Sequence, residues 1–481
     1  TVLFDLPAKE GPKNAIVEKA LAALKKQKPA PLASKTAIQY IQAANYDDDL
    51  ALLSECDLVI EAVAERLDIK ENLYSKVAPH LGAKTIFATN TSGLSIETLA
   101  SVFSQELKDR FCGVHFFNPP RYMHLVELIA CKETDASVLD NLERFLVSTL
   151  GKGVVRAKDT PNFVANRIGV FSMLATMANA EKYGLRFDVV DDLTGARLGR
   201  PKSATFRTAD VVGLDTFAHV AKTMQDNLQA DPWHAHFGLP TWLTGLIEKG
   251  LLGSKTKAGI FKKEGKRIFV LDPKAGDYVP SNEKADKAVT ELLKAPTWGE
   301  KLAALRASEH PQAQFLWACM RDVFHYIAVH AKDIAHNARD IDFAIRWGFG
   351  WDMGPFEIWQ AAGWKQVAEW INEDIAAGKA LSNAALPAWV SDGRDGVHAD
   401  AGSLNFTTLQ AEGRSDLDVY QRQYAPAKLF GESAKALGET VFKTEAIHAF
   451  TLDNEVLVVE NTNKNRAISR EVLEGINQAI D

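Results

Sequence analysis

The sequence is poor in cysteine and lacks any long hydrophobic run. Only four cysteines occur in 481 residues, and none forms a CxxC pair. This usage argues against a metal site such as zinc and is typical of reduced thiols in the cytoplasm. No apolar run approaches the roughly 18 residues that a membrane-spanning helix needs. No basic segment followed by an apolar one opens the chain, so we expect a cytoplasmic protein without an export signal.

Positive charge is not in excess either. The chain has 55 lysines and arginines against 62 acidic residues, which gives a formal net charge of −7. Proteins that bind nucleic acid usually carry a basic patch, so we expect no nucleic-acid partner. A hydrophobic content of 46% and a charged content of 24% are typical of a globular protein. A chain of this length is expected to form about three domains.

A glycine-rich nucleotide loop is the third absence, because no GxGxxG occurs anywhere in the chain. The chain nevertheless opens with TVLFD, which predicts a parallel strand that ends in an acid, Asp5. In a dinucleotide-binding fold such an acid binds the adenosine ribose of NAD, and the glycine turn lies about 20 residues before it. We therefore expect the first strand, the glycine turn and the first helix to precede Thr1. The alternative interpretation is an ordinary acid at a strand end.

The most informative stretch is residues 111–127, which read FCGVHFFNPPRYMHLVE. Two apolar runs carry His115 and Glu127, and a loop with Asn118-Pro119-Pro120 joins them. A histidine and a carboxylate on neighbouring strand ends can act as a base and its orienting partner. A buried core histidine with a structural partner is the alternative.

Two polar side chains from other segments favour the catalytic interpretation. Ser92 follows a predicted strand at 85–89, and ligands bind beyond the carboxyl ends of strands in open α/β sheets. Asn166 lies near the start of a predicted helix at 161–183, where a buried amide needs a partner such as a substrate oxygen. The alternatives are a local serine turn and an asparagine bonded to nearby backbone.

Four segments together resemble the NAD-dependent L-3-hydroxyacyl-CoA dehydrogenases of fatty-acid β-oxidation. They are DLVIEAVAERLDIK (57–70), TIFATNTSGLSI (85–96), VHFFNPPRYMHLVELI (114–129) and KDTPNFVANR (158–167). They occur in the family order, and the resemblance covers roughly the first 270 residues. It implies a Rossmann-type parallel sheet followed by an all-α dehydrogenase domain, with NAD as cofactor and an acyl-CoA as substrate.

The resemblance also implies roles for individual side chains. The catalytic set would be His115 as general base, Glu127 as its partner, Ser92 and Asn166. The cofactor would contact Asp5, Glu65, Lys70 and Asn90. The substrate would contact Ser92, Asn118, Asn166 and Lys26. Lys26 could equally be a solvated cation at a helix end, where the helix dipole favours positive charge, and Glu65 with Lys70 could be a surface ion pair.

An internal repeat is predicted downstream. The segment WDMGPFE (351–357) with Gly363 matches the segment that contains Phe206 and Gly213, and the helical pattern at 315–335 matches that at 163–183. We interpret the second copy as a helical module that covers the first without a catalytic role.

The domain plan follows from these segments. We predict an N-terminally incomplete NAD-binding domain at 1–158, a helical dehydrogenase domain at 159–275 and a second helical repeat at 276–400. A linker at 401–440 would lead to 441–481, which resembles the opening of the enoyl-CoA hydratase (crotonase) fold. The parent would then be a bifunctional β-oxidation protein, expected as a homodimer or as a partner of thiolase.

Two other functions remain open at this point. Another two-domain hydroxy-acid dehydrogenase would need a catalytic lysine in the helical domain, where this chain has Asn166-Arg167. A non-catalytic acyl-CoA-binding fragment is the second alternative.

Overall fold

A computed structural model describes residues 1–423, 426–433, 438–451, 455–463 and 467–481. The N-terminal strands are β1 (Val2–Asp5), β2 (Gln42–Asn45), β3 (Leu58–Glu61), β4 (Ile86–Thr89), β5 (Phe111–Phe116), β6 (Leu125–Ala130) and β7 (Gly153–Ala157). The helices between them are α1 (Ala15–Lys26), α2 (Leu67–Val77), α3 (Ile96–Ala100), α4 (Gln105–Lys108) and α5 (Ala136–Ser148). No described helix is both long enough and apolar enough to cross a membrane.

These strands form two sheets, not one. Strands β3 to β7 lie side by side in chain order, and among the residues described above β1 pairs only with β2. The β3, β4 and β5 strands are parallel, β6 runs antiparallel to β5, and β7 is parallel to β6. The Rossmann-like sheet is therefore present, with its first two strands as a separate parallel pair. The carboxyl ends of β4 and β5 share one edge, where the predicted site residues lie.

A first helical module follows the sheet. Its helices are α6 (Ala165–Lys182), α7 (Phe187–Thr194), α8 (Phe206–Val212), α9 (Leu214–Asn227) and α10 (Thr241–Glu248). The prediction that residues 159–275 are all helical is wrong at its end, because three antiparallel strands follow: β8 (Phe261–Glu264), β9 (Arg267–Asp272) and β10 (Asp277–Pro280). The turn between β8 and β9 uses Gly265 at φ 58°, a left-handed conformation that glycine adopts without steric cost.

A second helical module packs against the first. Its helices are α11 (Lys287–Leu292), α12 (Trp298–Ala307), α13 (Pro311–Ile334), α14 (Ala338–Phe349) and α15 (Pro355–Ala376). Both modules contain an aspartate that caps the next helix. Asp191 accepts from the backbone of Thr205 and Phe206 at 3.1 and 2.7 Å, and Asp342 accepts from Phe356 and Glu357 at 2.9 and 3.0 Å.

Glycines mark matching points in the two modules. Gly213 between α8 and α9 has φ 100°, and Gly363, which interrupts α15, has φ 99°. These are the two glycines that the sequence repeat aligns. The repeated pattern therefore corresponds to repeated local geometry.

The predicted linker at 401–440 is wrong for much of its length. Its start contains β12 (Gly402–Leu404) and β13 (Ala411–Glu412), which form a small sheet with the preceding β11 (His398–Ala399), and α16 (Asp418–Gln421) follows. The backbone carbonyls of Glu412 and Gly413 accept from Arg339, and the Tyr420 hydroxyl donates to Glu143 on α5. Polar contacts to both earlier parts of the chain hold this segment in place, although its composition is typical of a linker.

The C-terminal residues form a small separate layer. They contain the antiparallel strands β14 (Glu439–Lys443), β15 (Ile447–Thr451) and β16 (Leu457–Asn461), followed by α17 (Arg470–Ile480). Strands followed by a helix agree with the expected secondary structure of residues 449–481. The crotonase-like assignment of this layer stays a prediction.

Candidate active site

His115 and Glu127 face each other across two antiparallel strands. They are register partners on β5 and β6, and the Nδ1 atom of His115 lies 2.7 Å from Oε2 of Glu127. Both side chains are buried, with 4% and 0% of their surface exposed. The short loop after β5 sets this pairing, because an antiparallel return places residues of equal distance from the turn opposite each other.

The second oxygen of Glu127 binds the start of helix α6. Its Oε1 accepts hydrogen bonds from the backbone N–H groups of Val164 at 3.1 Å and Ala165 at 2.8 Å. A helix N-terminus stabilises a carboxylate, and Oε2 of Glu127 is placed to accept a hydrogen bond from Nδ1 of His115. With the proton on Nδ1, the Nε2 atom of the imidazole carries the lone pair.

The turn before α6 has an uncommon backbone conformation. Asn162 and Phe163 have φ values of 64° and 52°, so α6 begins at Ala165 and not at the predicted residue 161. The Asn162 amide donates to the carbonyl of Val220 at 2.9 Å, and the ring of Phe163 lies 5.6 Å from that of His115. Backbone strain of this kind clusters at functional sites. Sequence reasoning did not identify these two residues, although asparagine tolerates the left-handed region.

A third loop joins the site at the end of β4. The side-chain oxygen of Asn90 accepts from the backbone N–H of Phe116 at 2.9 Å. Glu65 accepts from the N–H groups of Ser92 and Gly93 at 2.9 and 3.2 Å. A Cβ on Gly93 would lie 2.7 Å from the side chain of Asn162, so only glycine fits against the turn before α6. The loops after β4 and β5 and the start of α6 therefore converge.

Ser92 and Asn166 are the polar side chains that remain available in this convergence. Both are half-buried. Within the described part of the chain the Ser92 hydroxyl and the Asn166 amide have no hydrogen-bond partner, in contrast to the neighbouring Asn90 and Asn162. Each can therefore bind an added ligand without first breaking an internal bond.

Lys70 lies beneath the loop in a buried ion network, and not at the surface as the alternative interpretation assumed. Its ammonium group lies 2.7 Å from Glu61 and 3.5 Å from Glu65, with 1% of its side chain exposed. Glu61 also accepts from the hydroxyls of Tyr74 and Thr89 at 2.6 and 2.7 Å. Burial and the charge of Glu61 raise the pKa of Tyr74. The network holds Glu65 under the loop; direct contact of Lys70 with a cofactor stays a prediction.

The remaining predicted residues lie on the rim. Asp5 is exposed at the carboxyl end of β1 and accepts from its neighbour's N–H at 2.7 Å. Lys26 is the exposed last residue of α1, and Asn118 is exposed in the loop after β5. Arg121 in that loop donates to the carbonyl of Ala30. The chain that follows α1 therefore lies against the loop after His115.

The residues present are suited to the two ends of a dinucleotide but not to the pyrophosphate in its middle. Asp5 offers an exposed carboxylate beyond a parallel strand, as a ribose site requires, and the loop of Ser92 lies at the same kind of strand end beside His115. The pyrophosphate of such a cofactor is held by a glycine turn, which these 481 residues do not contain. One group of described residues, Glu97, Cys131 and Glu133, has ligand atoms within 4.8 Å of one another, as a metal site would need. Glu97 is already bound to the backbone N–H of Lys132.

Comparisons with known proteins agree with this geometry. The NAD-binding domain of 3-hydroxyacyl-CoA dehydrogenase matches residues 6–160, and the C-terminal domain of the same enzyme matches residues 163–263. A probable 3-hydroxyacyl-CoA dehydrogenase of Deinococcus radiodurans is 42% identical over 262 residues, which are 54% of this chain and 74% of that protein.

A longer relative and a solved structure extend the match. A probable 3-hydroxyacyl-CoA dehydrogenase of Bacillus subtilis is 36% identical over 98% of this chain, and the chain spans only 58% of that relative's length. The crystal structure of 3-hydroxybutyryl-CoA dehydrogenase from Escherichia coli superposes with a TM-score of 0.61 at 20% identity, over 78% of this chain and 89% of that one. This last likeness concerns the fold alone.

Proposed function

The chain belongs to the 3-hydroxyacyl-CoA dehydrogenase family, and from this we propose that it carries the dehydrogenase centre of a β-oxidation protein. The reaction converts the 3-hydroxyl of an L-3-hydroxyacyl-CoA to a ketone. When bound, NAD⁺ accepts the hydride that leaves C3. The observation that carries the proposal is the buried His115–Glu127 pair at 2.7 Å, held at the start of α6.

His115 acts as the general base in this proposal. Its Nε2 lone pair takes the proton of the 3-hydroxyl as the C3–H bond breaks and the carbonyl forms. Glu127 accepts the Nδ1 proton and stabilises the imidazolium that results, because an adjacent carboxylate favours the charged ring. In the reverse direction the imidazolium returns the proton to the ketone oxygen.

Ser92 and Asn166 bind the oxygens of the substrate. Their side chains are half-buried and carry no internal hydrogen bond among the described residues. They lie on the loop after β4 and in the first turn of α6, which contact Phe116 and Glu127. The Ser92 hydroxyl can donate to the substrate oxygen at C3, and the Asn166 amide can donate to the thioester carbonyl. Asn118 and Lys26 on the rim extend toward the CoA portion, where Lys26 supplies a positive charge for phosphate.

Asp5 and the loop after β4 bind the two ends of NAD. Asp5 accepts from the adenosine ribose, and Glu65, Lys70 and Asn90 shape the nicotinamide end by holding the loop that contains Ser92. An acid at Asp5 repels the 2′-phosphate of NADP, which favours NAD.

A further strand between β1 and β3 is part of the proposal. Within the described ranges each of these strands pairs on one side only, and Leu3 and Ile60 on them are 39% and 40% exposed. Strands of a parallel sheet are usually buried on both faces, so these exposures support a strand whose glycine turn receives the pyrophosphate. Calorimetric titration with NADH tests this point. The 481-residue chain should bind NADH weakly, and micromolar binding by this chain alone would contradict it.

The whole protein is proposed to combine two activities. Residues 449–481 keep their resemblance to the start of an enoyl-CoA hydratase domain. A hydratase makes the 3-hydroxyacyl-CoA that the dehydrogenase consumes, and thiolase would accept the product. Assay of the natural full-length protein with a 2-enoyl-CoA tests this part separately.

The dehydrogenase assay uses acetoacetyl-CoA and NADH in the natural full-length protein. His115→Ala should lower kcat by about 10²–10⁴-fold with little change in NADH affinity. The control is His80→Ala, because His80 is an exposed histidine and should keep full activity. Equal loss of turnover and of NADH binding in the His115 variant would indicate a structural histidine and overturn the proposal. Turnover of a small hydroxy acid instead of acetoacetyl-CoA would favour the other dehydrogenase class.

A further inference from the structure

The second helical module places two side chains under the start of α6. The hydroxyl of Tyr326 on α13 accepts from Nε of Arg167 at 3.0 Å. Asp231 lies 3.2 Å from both Arg167 and His330, and the second of these also belongs to α13. All four side chains are buried, with at most 7% of each exposed. The cluster is defined here as the Arg167 clasp.

His330 contacts both charged groups of the Arg167 clasp, Arg167 and Asp231. Nδ1 of His330 lies 3.5 Å from the Arg167 guanidinium, which only donates, and Nε2 of His330 faces the carboxylate of Asp231. Nε2 of His330 lies 3.2 Å from the Asp231 carboxylate without hydrogen-bond geometry, so this contact is one of proximity within the cluster. Burial alone would raise the pKa of Asp231, but the contacts with His330 and Arg167 hold this pKa below its ordinary value. The carboxylate is therefore charged at neutral pH and pairs with Arg167.

Arg167 connects the clasp to the catalytic pair. It lies in the first turn of α6, whose N–H groups at Val164 and Ala165 bind Glu127. The N–H of Arg167 itself binds the carbonyl of Asn162 at 3.2 Å, inside the turn with left-handed backbone. Glu127 in turn holds His115. A continuous chain of contacts thus runs from α13 to the imidazole.

This connection has a physical reason. Left-handed backbone is unfavourable for a non-glycine residue, and such strain persists only where the surroundings fix it. The turn at Asn162 and Phe163 has two such residues in succession. The Arg167 clasp fixes the helix immediately after them.

We propose that Tyr326 and His330 are positioning residues for His115, so that the second module sets the geometry of the catalytic base. The inference depends on the proposed function in one respect, the role of His115 as a base. It departs from the expectation that the second module has no part in the reaction.

The test is Tyr326→Phe, which removes one hydroxyl and keeps the ring that stacks on Phe171 at 3.8 Å. The matched control is Tyr278→Phe, which removes a hydroxyl bonded to the Gly259 carbonyl in the β8–β10 sheet. The readout is the Cε1–H NMR signal of His115 in protein labelled at histidine, identified by its loss in His115→Gln. The proposal expects the His115 titration midpoint to move by about 0.5 pH unit in Tyr326→Phe and not in the control.

Kinetics give an independent readout in the natural full-length protein. Tyr326→Phe and His330→Gln should lower kcat about 5–10-fold, with KM for acetoacetyl-CoA within about twofold of the parent value. An unchanged His115 signal and unchanged kcat, with a loss of thermal stability no larger than that of Tyr278→Phe, overturn the inference while the dehydrogenase proposal stands. A moved His115 signal in a protein without dehydrogenase activity would support the inference and overturn the proposed function instead.

Discussion

Helices α6 and α13 are the corresponding long helices of the two modules, and they begin in different ways. The start of α6 gives its N–H groups to Glu127, a carboxylate that comes from the sheet. The start of α13 is capped within its own segment, where His310 accepts from the N–H of Gln312 at 3.2 Å and Pro311 occupies the first position. The start of α6 thus depends on a carboxylate from the sheet, whereas the N-terminal cap of α13 comes from the residue next to it, with Asp286 as a further neighbour of His310 and Gln312.

Backbone strain follows the same division. The two residues that precede Val164 at the α6 start are both left-handed, and among the described residues none of the non-glycine residues with positive φ lies beside the α13 start. Left-handed backbone costs free energy at either place. Of the two helix starts, the one beside Glu127 and His115 has this strain and the other does not, which indicates that the α6 start is shaped by contacts outside its own segment.

The capping aspartates of the two modules differ as well. Asp191 contacts backbone N–H groups and the side chain of Arg207 at 3.6 Å. Asp342 binds its helix start and also Nε2 of His398 at 2.7 Å, and the other nitrogen of His398 contacts Ser403 at 2.9 Å. These three side chains are buried, so their Ser-His-Asp arrangement fastens the segment after α15 and is closed to substrates. The second module therefore uses the same acid for a structural attachment.

The largest expected effect is on the site at the start of α6. Glu127→Gln places an amide N–H toward Nδ1 of His115, which must then accept, so the ring proton moves to Nε2 and the base is lost. We expect kcat to fall about 10²–10⁴-fold with a small change in melting temperature. The matched variant at the other helix start is His310→Ala, which should lower stability by about 0.5–2 kcal/mol and leave kcat unchanged. A comparable loss of kcat in both variants would remove the distinction between the two helix starts.

The pairing of His115 with Glu127 could be predicted because local information determines it. Two apolar runs and a proline loop between His115 and Glu127 are enough to set an antiparallel pair, and the pairing is present. The cap of α3 at Ser95 follows for the same reason, since its hydroxyl accepts from Thr98 three residues later at 3.1 Å.

What could not be predicted depends on contacts between distant segments. The sequence pattern predicts that α6 begins at residue 161, four residues before its observed start. The difference arises because Asn162 is held by the carbonyl of Val220, 58 residues away in the chain. The resemblance predicts Lys70 at a helix start in contact with the cofactor, with a surface ion pair as the alternative, and neither predicts its burial, which depends on Glu61 and Tyr74. The composition of residues 401–440 predicts a linker. In the structure, Tyr420 in this segment donates a hydrogen bond to Glu143, which lies 277 residues earlier in the chain.

A glycine on α6 tests how closely the two modules are fitted to each other. A Cβ at Gly169 would lie 2.0 Å from the ring of Phe349 at the end of α14. We expect Gly169→Ala to destabilise the protein by about 1–3 kcal/mol through overpacking, and to lower kcat because α6 must shift. Gly245→Ala in α10 is the control, because nothing lies within 4 Å of the added Cβ and a helical alanine should stabilise by about 0.5–1 kcal/mol. Calorimetric melting of both variants checks this, and unchanged melting in Gly169→Ala would show that the modules are not tightly fitted.

The smallest expected effect is an opposite response of the two modules to pH. In the second module, burial, with Glu412 and Glu143 nearby, raises the pKa of Asp340 to about 7. The folded protein therefore holds a proton that the unfolded chain releases near pH 4, and this contribution to stability is lost as pH rises from about 4 through 7. Asp340→Asn removes this pH dependence. The melting temperature of the variant minus that of the parent should therefore increase as pH rises from 5 to 8, by an amount equivalent to about 1–2 kcal/mol.

In the first module the sign is reversed. The pKa of Asp231 is lowered by His330 and Arg167 against the effect of its burial, so its contribution to stability is complete above the ordinary carboxylate pKa of about 4 and is lost as pH falls below it. Asp231→Asn should therefore cost least at the acid end of a melting series between pH 3 and 8, where the parent has already lost the pair, whereas the benefit of Asp340→Asn should be greatest at the alkaline end. If both differences stayed constant across the series, neither carboxylate would change its proton affinity on folding. In that case the contacts of Asp231 that hold the start of α6 would depend on pH no more than those of Asp340 in the second module.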